Sequence, residues 1–515
     1  MVIDPLAVAH PGTPGFPDVG SLAKVPRVVV VGAGIAGLTA ATGLAERGVE
    51  VELLEREPVL GGRVAGWTEC PDEGALAGSE LANNRGFHAF FRQYYNLRSL
   101  LRRSDPGLQR LRSVEDYPLI DGQGRRDTFR GLPTSPPWNA LMFALRSPTF
   151  RLRDIVKLNG AAAAPLVSVS VPEIYYRLDD RDAGTFLDEI NFPTAARHLA
   201  FEVFARSFFA RPQRLSAAEL AAMFHIYFLG SSEGLIFDVA TSNFDTALWN
   251  PLADYLRDRG VRVRTGVGVE SISELGPSRF RVHTGADVVD ADAVVLATDP
   301  GGLQRIVESS PTLGDSPWRG RIAAMELAPP FVVQRLWLDA PVHSDRAPFM
   351  GTGDVEPVDN ISVVSSYEDE AGQWARRHSG SVLEVHSYSV TDQPPMAGLR
   401  ERMLARLHQI YPETASAGIL AERVMVKQDC PLFAPGSFAR RPTVECGIPG
   451  LVLAGDGIRI DLPVALMERA ATTGWTAANT LLAGWGVVGH TLHTVPIRGR
   501  SALLRRLAAK GVGLS

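Results

Sequence analysis

Cysteine is scarce in this chain of 515 residues: Cys70, Cys430 and Cys446 are its whole complement, and no two form a C-x-x-C pair. That excludes a disulfide framework and the usual zinc and iron–sulfur spacings, so no metal is expected. Three scattered thiols fit a reducing cytoplasm. Lysine is rare too, with only Lys24, Lys157, Lys427 and Lys510, the other basic residues being arginine. A net charge of −5 leaves no footprint for nucleic acid. Also missing is any run of ~18 apolar residues, which excludes a helix spanning a membrane. The longest candidate, 161–171, is broken by Pro165, Ser168 and Ser170. Residues 1–25 lack the apolar core of a signal peptide and contain Pro5, Pro11, Pro14 and Pro17, so they read as a disordered leader. The remainder is ordinary: 45% hydrophobic and 21% charged residues suit a soluble globular protein of two or three domain-sized units.

Residues 27–63 carry the strongest local pattern. Residues 28–31 are a β-branched run and read as a buried parallel strand. Gly32, Gly34 and Gly37 follow in the spacing G-x-G-x-x-G, and 36–47 reads as a helix with small residues on its inner side. Gly32 permits the tight turn, Gly34 lets the backbone approach a pyrophosphate, and Gly37 lets helix and strand pack closely. The helix start offers free N–H groups to the phosphates. A second strand, 49–54, ends at Glu55, ~20 residues on, where an acid can bind a ribose hydroxyl pair. This pattern predicts a dinucleotide but does not separate NAD from FAD.

Downstream, 80–96 is dense in aromatics and contains His88. Residues 115–130 turn through Asp121-Gly122 and Gln123-Gly124 as a hairpin of a separate sheet. Residues 138–147, 148–166 and 181–211 read as helices. In the helix 216–229, Ser216 is the N-cap and Glu219 completes a capping box; Phe224 and Phe228 help make a greasy wall. Residues 261–269 and 292–296 read as strands. Strand 451–454 delivers Gly455 and Asp456 at its carboxyl end, where ligands of open α/β sheets bind. A second G-x-G-x-x-G, Gly484 to Gly489, follows a helix rather than a strand, so it is not a nucleotide loop. That leaves no site for NADPH, and a membrane quinone or oxygen is the expected electron acceptor. The tail beyond 484 has no acid. Leu503, Leu504, Leu507 and Ala508 share a helical face beside several arginines, a pattern that suits an anionic membrane surface as well as an ordinary terminal helix.

The extension Leu60-Gly61-Gly62-Arg63, the block Arg85-Gly-Phe-His-Ala-Phe-Phe-Arg-Gln-Tyr-Tyr-Asn96 and the Gly455-Asp456 strand-to-helix junction together resemble the carotenoid desaturase branch of the FAD-dependent amine oxidase superfamily. The resemblance covers most of residues 25–490. Within the branch, residues 85–98 and 469–475 are most similar to the isorenieratene synthases of actinobacteria, which turn the β-ionone rings of β-carotene into aromatic φ-end groups. It implies an α/β protein: a Rossmann-type FAD-binding domain, assembled from 26–104, 242–300 and 425–490, with an inserted α+β substrate domain, 105–241 and 301–424, and a basic tail, 491–515. The cofactor set it implies is Gly32, Gly34, Ala36, Gly37, Glu55, Arg56, Gly62, Arg63, Val269 at the adenine, Gly455, Asp456 on the ribityl chain, and Met467 at a helix start facing the flavin. Asp299 stands where the branch has a glycine after Ala297-Thr298.

The implied substrate is an apolar carotenoid, reached by a protein peripheral to the cytoplasmic membrane. Loss of a hydride leaves a ring cation, a 1,2-methyl shift relieves the gem-dimethyl block, and proton loss completes aromatisation without a methyl donor. Aromatic faces stabilise a cation by roughly 0.5–2 kcal/mol each. Phe87, Phe90, Phe91, Tyr94 and Tyr95 are the candidates, with Phe224 and Phe228 beyond them. His88 is the expected proton acceptor, since imidazole suits base work near neutrality, with Glu80 and Asp461 as fallbacks. Three rivals share parts of the pattern: a linear-carotene desaturase or isomerase, an amine oxidase, and a non-catalytic flavin or carotenoid carrier.

Overall fold

A computed structural model of the protein describes residues 4–150, 157–197, 206–285, 287–390 and 398–499. The valine run forms the middle strand, Arg27–Val31, of a five-stranded sheet. Its order is Arg262–Arg264, Glu50–Leu54, Arg27–Val31, Ala293–Leu296, Leu451–Leu453. All four pairings are parallel. Val28, Val29 and Val30 are fully buried, as expected of a strand covered on both faces. Every residue of helix Ile35–Ala45 is buried, and the helix lies along Leu466–Gly484. Small residues permit that approach: a Cβ on Gly43 would sit 2.8 Å from Ala478 Cβ, and one on Gly474 would sit 2.4 Å from the Ala36 carbonyl.

A mixed sheet of seven strands stands apart, in the order Ile419–Lys427, Phe331–Leu338, Ser381–Ser387, Asn360–Val363, Phe349–Gly353, Leu119–Asp121, Arg126–Asp127. The last two strands are the expected hairpin, turning through Gly124 at φ 75°. One face, with Leu336, Leu383 and Val385, packs on Leu399, Met403 and Leu407 of helix Leu399–Ile410. By the strand's period of two, Arg335, Glu384 and His386 belong to the opposite face. That face turns towards the five-stranded sheet.

Several local expectations need correction. The segment read as a disordered leader carries strand Val8–His10, paired antiparallel with Leu492–Thr494. Asp4 secures it by accepting hydrogen bonds from Tyr95, Ser231 and Ser232. The strand expected at 261–269 is two, Arg262–Arg264 and Val269–Gly276, because Gly266 turns at φ 71° between them. Ser216 does cap its helix, accepting from the Ala218 amide, but there is no capping box. The Ser216 amide bonds the Phe433 carbonyl, and Glu219 instead pairs with Arg441 and Arg469. Asp299 caps helix Pro300–Glu308 through the Gly302 amide, which accounts for the missing glycine. The glycines at 484–489 pack on the N-terminal segment, with Phe16 bonded to Gly486 and Val488. Positions 503–508 of the tail, with Leu199 and Phe204 of the helix read at 181–211, lie outside the described residues.

Candidate active site

The two sheets enclose one cavity of about 1610 Å³. At one end lie Gly32, Gly34, Ala36, Glu55, Arg56, Gly62, Arg63, Val269, Gly455, Asp456 and Met467, all of which line it. Gly37 lies beneath, where a Cβ would sit 1.8 Å from the Gly32 carbonyl oxygen; any side chain would force helix from strand. Gly34 differs. Its φ of −75° is ordinary, and the nearest atom to an added Cβ is 3.9 Å away. The protein itself does not need glycine here; only a group lying against the backbone does. No side chain caps this helix, so its first amides are left for an anion. The Glu55 carboxylate, which lines the cavity, is held in place by accepting from the amides of Ala33 at 2.7 Å and Glu57 at 2.9 Å. These features fit FAD: a cradle for the pyrophosphate, an acid for the adenosine ribose and a helix start, at Leu466–Met467, for the flavin.

Arg63 and Asp456, expected to hold different parts of the cofactor, face each other as an ion pair, with a second contact from Arg63 Nη1 at 2.8 Å. Burial alone would weaken the Arg63 cation, but Asp456 and then Cys430 and Asp429 hold its pKa well above the ordinary value. A pyrophosphate would meet a guanidinium already aimed by a carboxylate. Cys430 is buried and its thiol is pushed up to about 12, so it is inert.

The other end is aromatic. Phe87 stacks on Phe349 with centroids 4.3 Å apart and meets Phe237 edge-on at 5.8 Å. Phe91, Tyr94, Tyr117, Phe208, Phe209 and Phe331 also line it. His88 also lines it, with Nδ1 2.9 Å from the Gly86 carbonyl and its ring edge-on to Phe244. That contact makes Nδ1 the protonated nitrogen and leaves Nε2 a lone pair. Burial pushes His88 down to about 4, against a weaker opposing pull from the Gly86 carbonyl.

Six expected residues lie elsewhere. Phe90 is fully buried in the core behind the cavity. Tyr95 is buried too and spends its hydroxyl on Asp4 at 2.6 Å. Phe224 and Phe228 stack on each other 4.9 Å apart, one layer out, so their helix backs the cavity through Tyr227, whose hydroxyl is 2.5 Å from that of Tyr94. Asp461 is exposed and paired with Arg459 at 3.0 Å. Glu80, the second fallback acid, is exposed as well and away from the lining. Sequence reasoning missed Tyr117, Phe237, Phe349, Asn360, His386 and Tyr388. The alternation at 384, 386 and 388 was a usable signal: three polar residues at a period of two, running on from the apolar pair Val382 and Leu383.

The fold and the glycine cradle define a flavoenzyme. The family of flavin containing amine oxidoreductases matches residues 35–482, and the chain belongs to it; it is an FAD-dependent oxidoreductase. Among its relatives is a carotenoid phi-ring synthase of Streptomyces griseus, 54% identical over 485 residues, covering 94% of this chain and 93% of that protein. A carotenoid phi-ring synthase of Chlorobaculum tepidum is 27% identical, covering 92% and 91%. A zeta-carotene desaturase of Synechocystis is 26% identical, covering 89% and 97%. Among solved structures, a putrescine oxidase bound to putrescine superposes with a TM-score of 0.63 at 18% identity, over 89% of this chain and 99% of that one, which speaks to the fold alone.

Proposed function

We propose that this enzyme desaturates the β-ionone ring of β-carotene with 1,2-methyl migration, giving an aromatic φ-end group of the isorenieratene type. The observation that carries the proposal is the 54% identity, over nearly the whole of both chains, to a carotenoid phi-ring synthase. The cavity's chemistry supports it. Carboxylates that line the cavity are engaged: Asp429 with Arg85 at 2.8 Å, Asp456 with Arg63, and Asp359 with the Tyr388 amide. Each of these already has a protein partner, which argues against an amine substrate.

When bound, FAD supplies the hydride acceptor. The cofactor set is Gly32, Gly34, Ala36, Gly37, Glu55, Arg56, Gly62, Arg63, Val269, Gly455, Asp456 and Met467, and the chain divides into the units expected from the sequence, with residues 4–25 joined to the FAD-binding unit. The faces and edges of Phe87, Phe91, Tyr94, Phe237 and Phe349 surround the ring, exclude water and offer π density to a ring cation. Excluding water matters, because a cation that met it would be trapped as an alcohol before the methyl group moved.

A peripheral seat on the cytoplasmic membrane completes the proposal, with quinone or oxygen as electron acceptor. Among the described residues no helix is long and apolar enough to cross a membrane. Helix Trp138–Arg146 exposes Trp138, Leu141 and Leu145 at a spacing that puts them on one side, as a helix lying in an interface would. The test is expression in a β-carotene-producing bacterium followed by pigment analysis. Carotenoids with aromatic rings are expected. Unchanged β-carotene beside FAD-loaded protein would refute the reading, and conversion of ζ-carotene alone would assign a linear-carotene desaturase.

A further inference from the structure

The wall opposite the flavin-binding end contains a row of polar residues that no part of the cofactor site uses. Glu384, His386 and Tyr388 alternate along one strand and its extension, so they share the face turned to the cavity. His386 and Tyr388 line the cavity; Glu384 sits behind them, 2% exposed. Glu384 Oε2 is 3.3 Å from His386 Nε2, and His386 Nδ1 is 2.9 Å from the Tyr388 hydroxyl. Asn360 donates to the same hydroxyl at 2.9 Å. Arg335, as deeply buried, holds Glu384 at 3.1 Å and Glu368 at 2.8 Å. The imidazole is wedged in place: a Cβ on Gly86 would come within 2.8 Å of its Cε1.

We propose that Tyr388 and His386, backed by Glu384, form the relay that removes the proton from the substrate ring, a role sequence reasoning assigned to His88. This rests on the ring-aromatising reading above. The argument is geometric. A base buried among aromatics needs a partner for the charge it acquires, and His386 has a carboxylate on the nitrogen that faces away from Tyr388. His88 is hydrogen-bonded to a backbone carbonyl, and the more distant charge of Glu384 is the weakest of the influences on it. Burial would raise Glu384, but Arg335 outweighs it and, with His386, holds the carboxyl below its ordinary range, so the partner is ionised. Glu368, pushed up to about 7 by burial despite Arg335, is the member of the pair that takes a proton first.

The step balances without any further reagent. One ring C–H bond of the cation breaks, and its electron pair joins the ring π system. The proton passes to the Tyr388 oxygen as the phenol's own proton passes to His386 Nδ1. The imidazolium rests against Glu384 until the proton returns to water. The step is itself redox-neutral; the cation it consumes arises by hydride loss to the flavin.

Around His386 stand Glu384 and Tyr388 on its own strand and extension and His88 from the aromatic block; Arg335 on the neighbouring strand reaches Glu384 and is itself faced by Glu368 and Tyr367, Arg85 faces His88, and Asp359 accepts from the Tyr388 amide. The test uses the full-length holoenzyme with β-carotene in liposomes, measuring flavin content, carotenoid binding and the pH profile of aromatic-ring formation. His386→Gln and Tyr388→Phe are expected to keep flavin and carotenoid binding while lowering turnover at least about 100-fold. Glu384→Gln is expected to move the acid limb of the profile down by about one pH unit, since the carboxylate that favours the imidazolium is gone. His88→Gln is expected to leave that limb in place. Should His386→Gln fail to take up flavin, Tyr388→Phe and Glu384→Gln decide alone. Undiminished turnover in Tyr388→Phe, an unmoved limb in Glu384→Gln, or loss of the limb in His88→Gln would overturn the relay. No aromatic product from the wild type would instead overturn the reading on which it rests.

Discussion

Gly34→Ala separates binding from folding more cleanly than any other change in the nucleotide loop. Its added methyl group finds no protein atom closer than 3.9 Å, and the backbone, at φ −75°, needs no adjustment. Alanine is a poorer N-cap than glycine, so the flavin-free protein should lose about 1 kcal/mol or less. The methyl would instead occupy the space where a pyrophosphate meets the first amides. Losing one hydrogen bond to a charged group costs about 1.5–3 kcal/mol, which is roughly 10- to 150-fold in affinity. Gly37→Ala is the control. Its methyl would lie 1.8 Å from the Gly32 carbonyl, so strand and helix must part, at a cost of about 3 kcal/mol in stability. Urea melts of flavin-free protein and a fluorescence titration with FAD measure the two quantities. The reasoning predicts that Gly34→Ala melts like the wild type and binds FAD weakly. Wild-type FAD affinity in Gly34→Ala would refute the cradle.

Other expectations follow from the same geometry. Arg335→Met removes the cation shared by Glu368 and Glu384 and leaves two buried carboxyl groups without it; denaturant melts should show a loss of about 3–5 kcal/mol. Burial pushes His88 from 6.5 down to about 4. Across that window the unfolded chain binds a proton that the folded chain refuses, so stability is full above the unfolded value and falls by about 3 kcal/mol as pH drops through it. His88→Gln should flatten that stretch of the stability–pH curve, and an unchanged slope would show that another group produces it. Phe87→Ala and Phe349→Ala each remove half of a stacked pair in the lining, and both should lower turnover with β-carotene while FAD affinity stays within about two-fold.

The flavin-binding half was legible because its signals are local. Val28 to Gly37 spell strand, turn and helix within one stretch, and Asp456 follows a strand recognisable by its own run of apolar residues. The substrate end was read less well because it is assembled from distant strands. Phe87 and Tyr117 sit on loops, and Phe237 and Phe349 on strands of two different sheets, so they meet only through tertiary packing, which no periodicity announces. Phe90, Tyr95, Phe224 and Phe228 were misplaced for the same reason: aromatic content marks a core or a cavity equally well, and direction is decided by packing. Glu219 shows the limit of a local rule. Its spacing from Ser216 suited a capping box, but two buried arginines from residues 441 and 469 compete for the carboxylate and win. The leader was misjudged because its prolines signal irregular chain, whereas Asp4 and Val8–His10 are ordered by partners more than 80 residues away.

The central claim is that this cavity turns a β-ionone ring into an aromatic one, and it is tested most directly by single-turnover conversion. Purified holoenzyme is mixed anaerobically with β-carotene in liposomes, and the pigments are analysed by chromatography and mass spectrometry. The account predicts flavin bleaching while oxidant is withheld and, once quinone or oxygen is admitted to reoxidise the flavin for a second hydride, products four hydrogens lighter per converted ring, with every carbon retained and the methyl group moved. Flavin that stays oxidised, or a product that has lost hydrogen from the polyene chain with both rings intact, would contradict it.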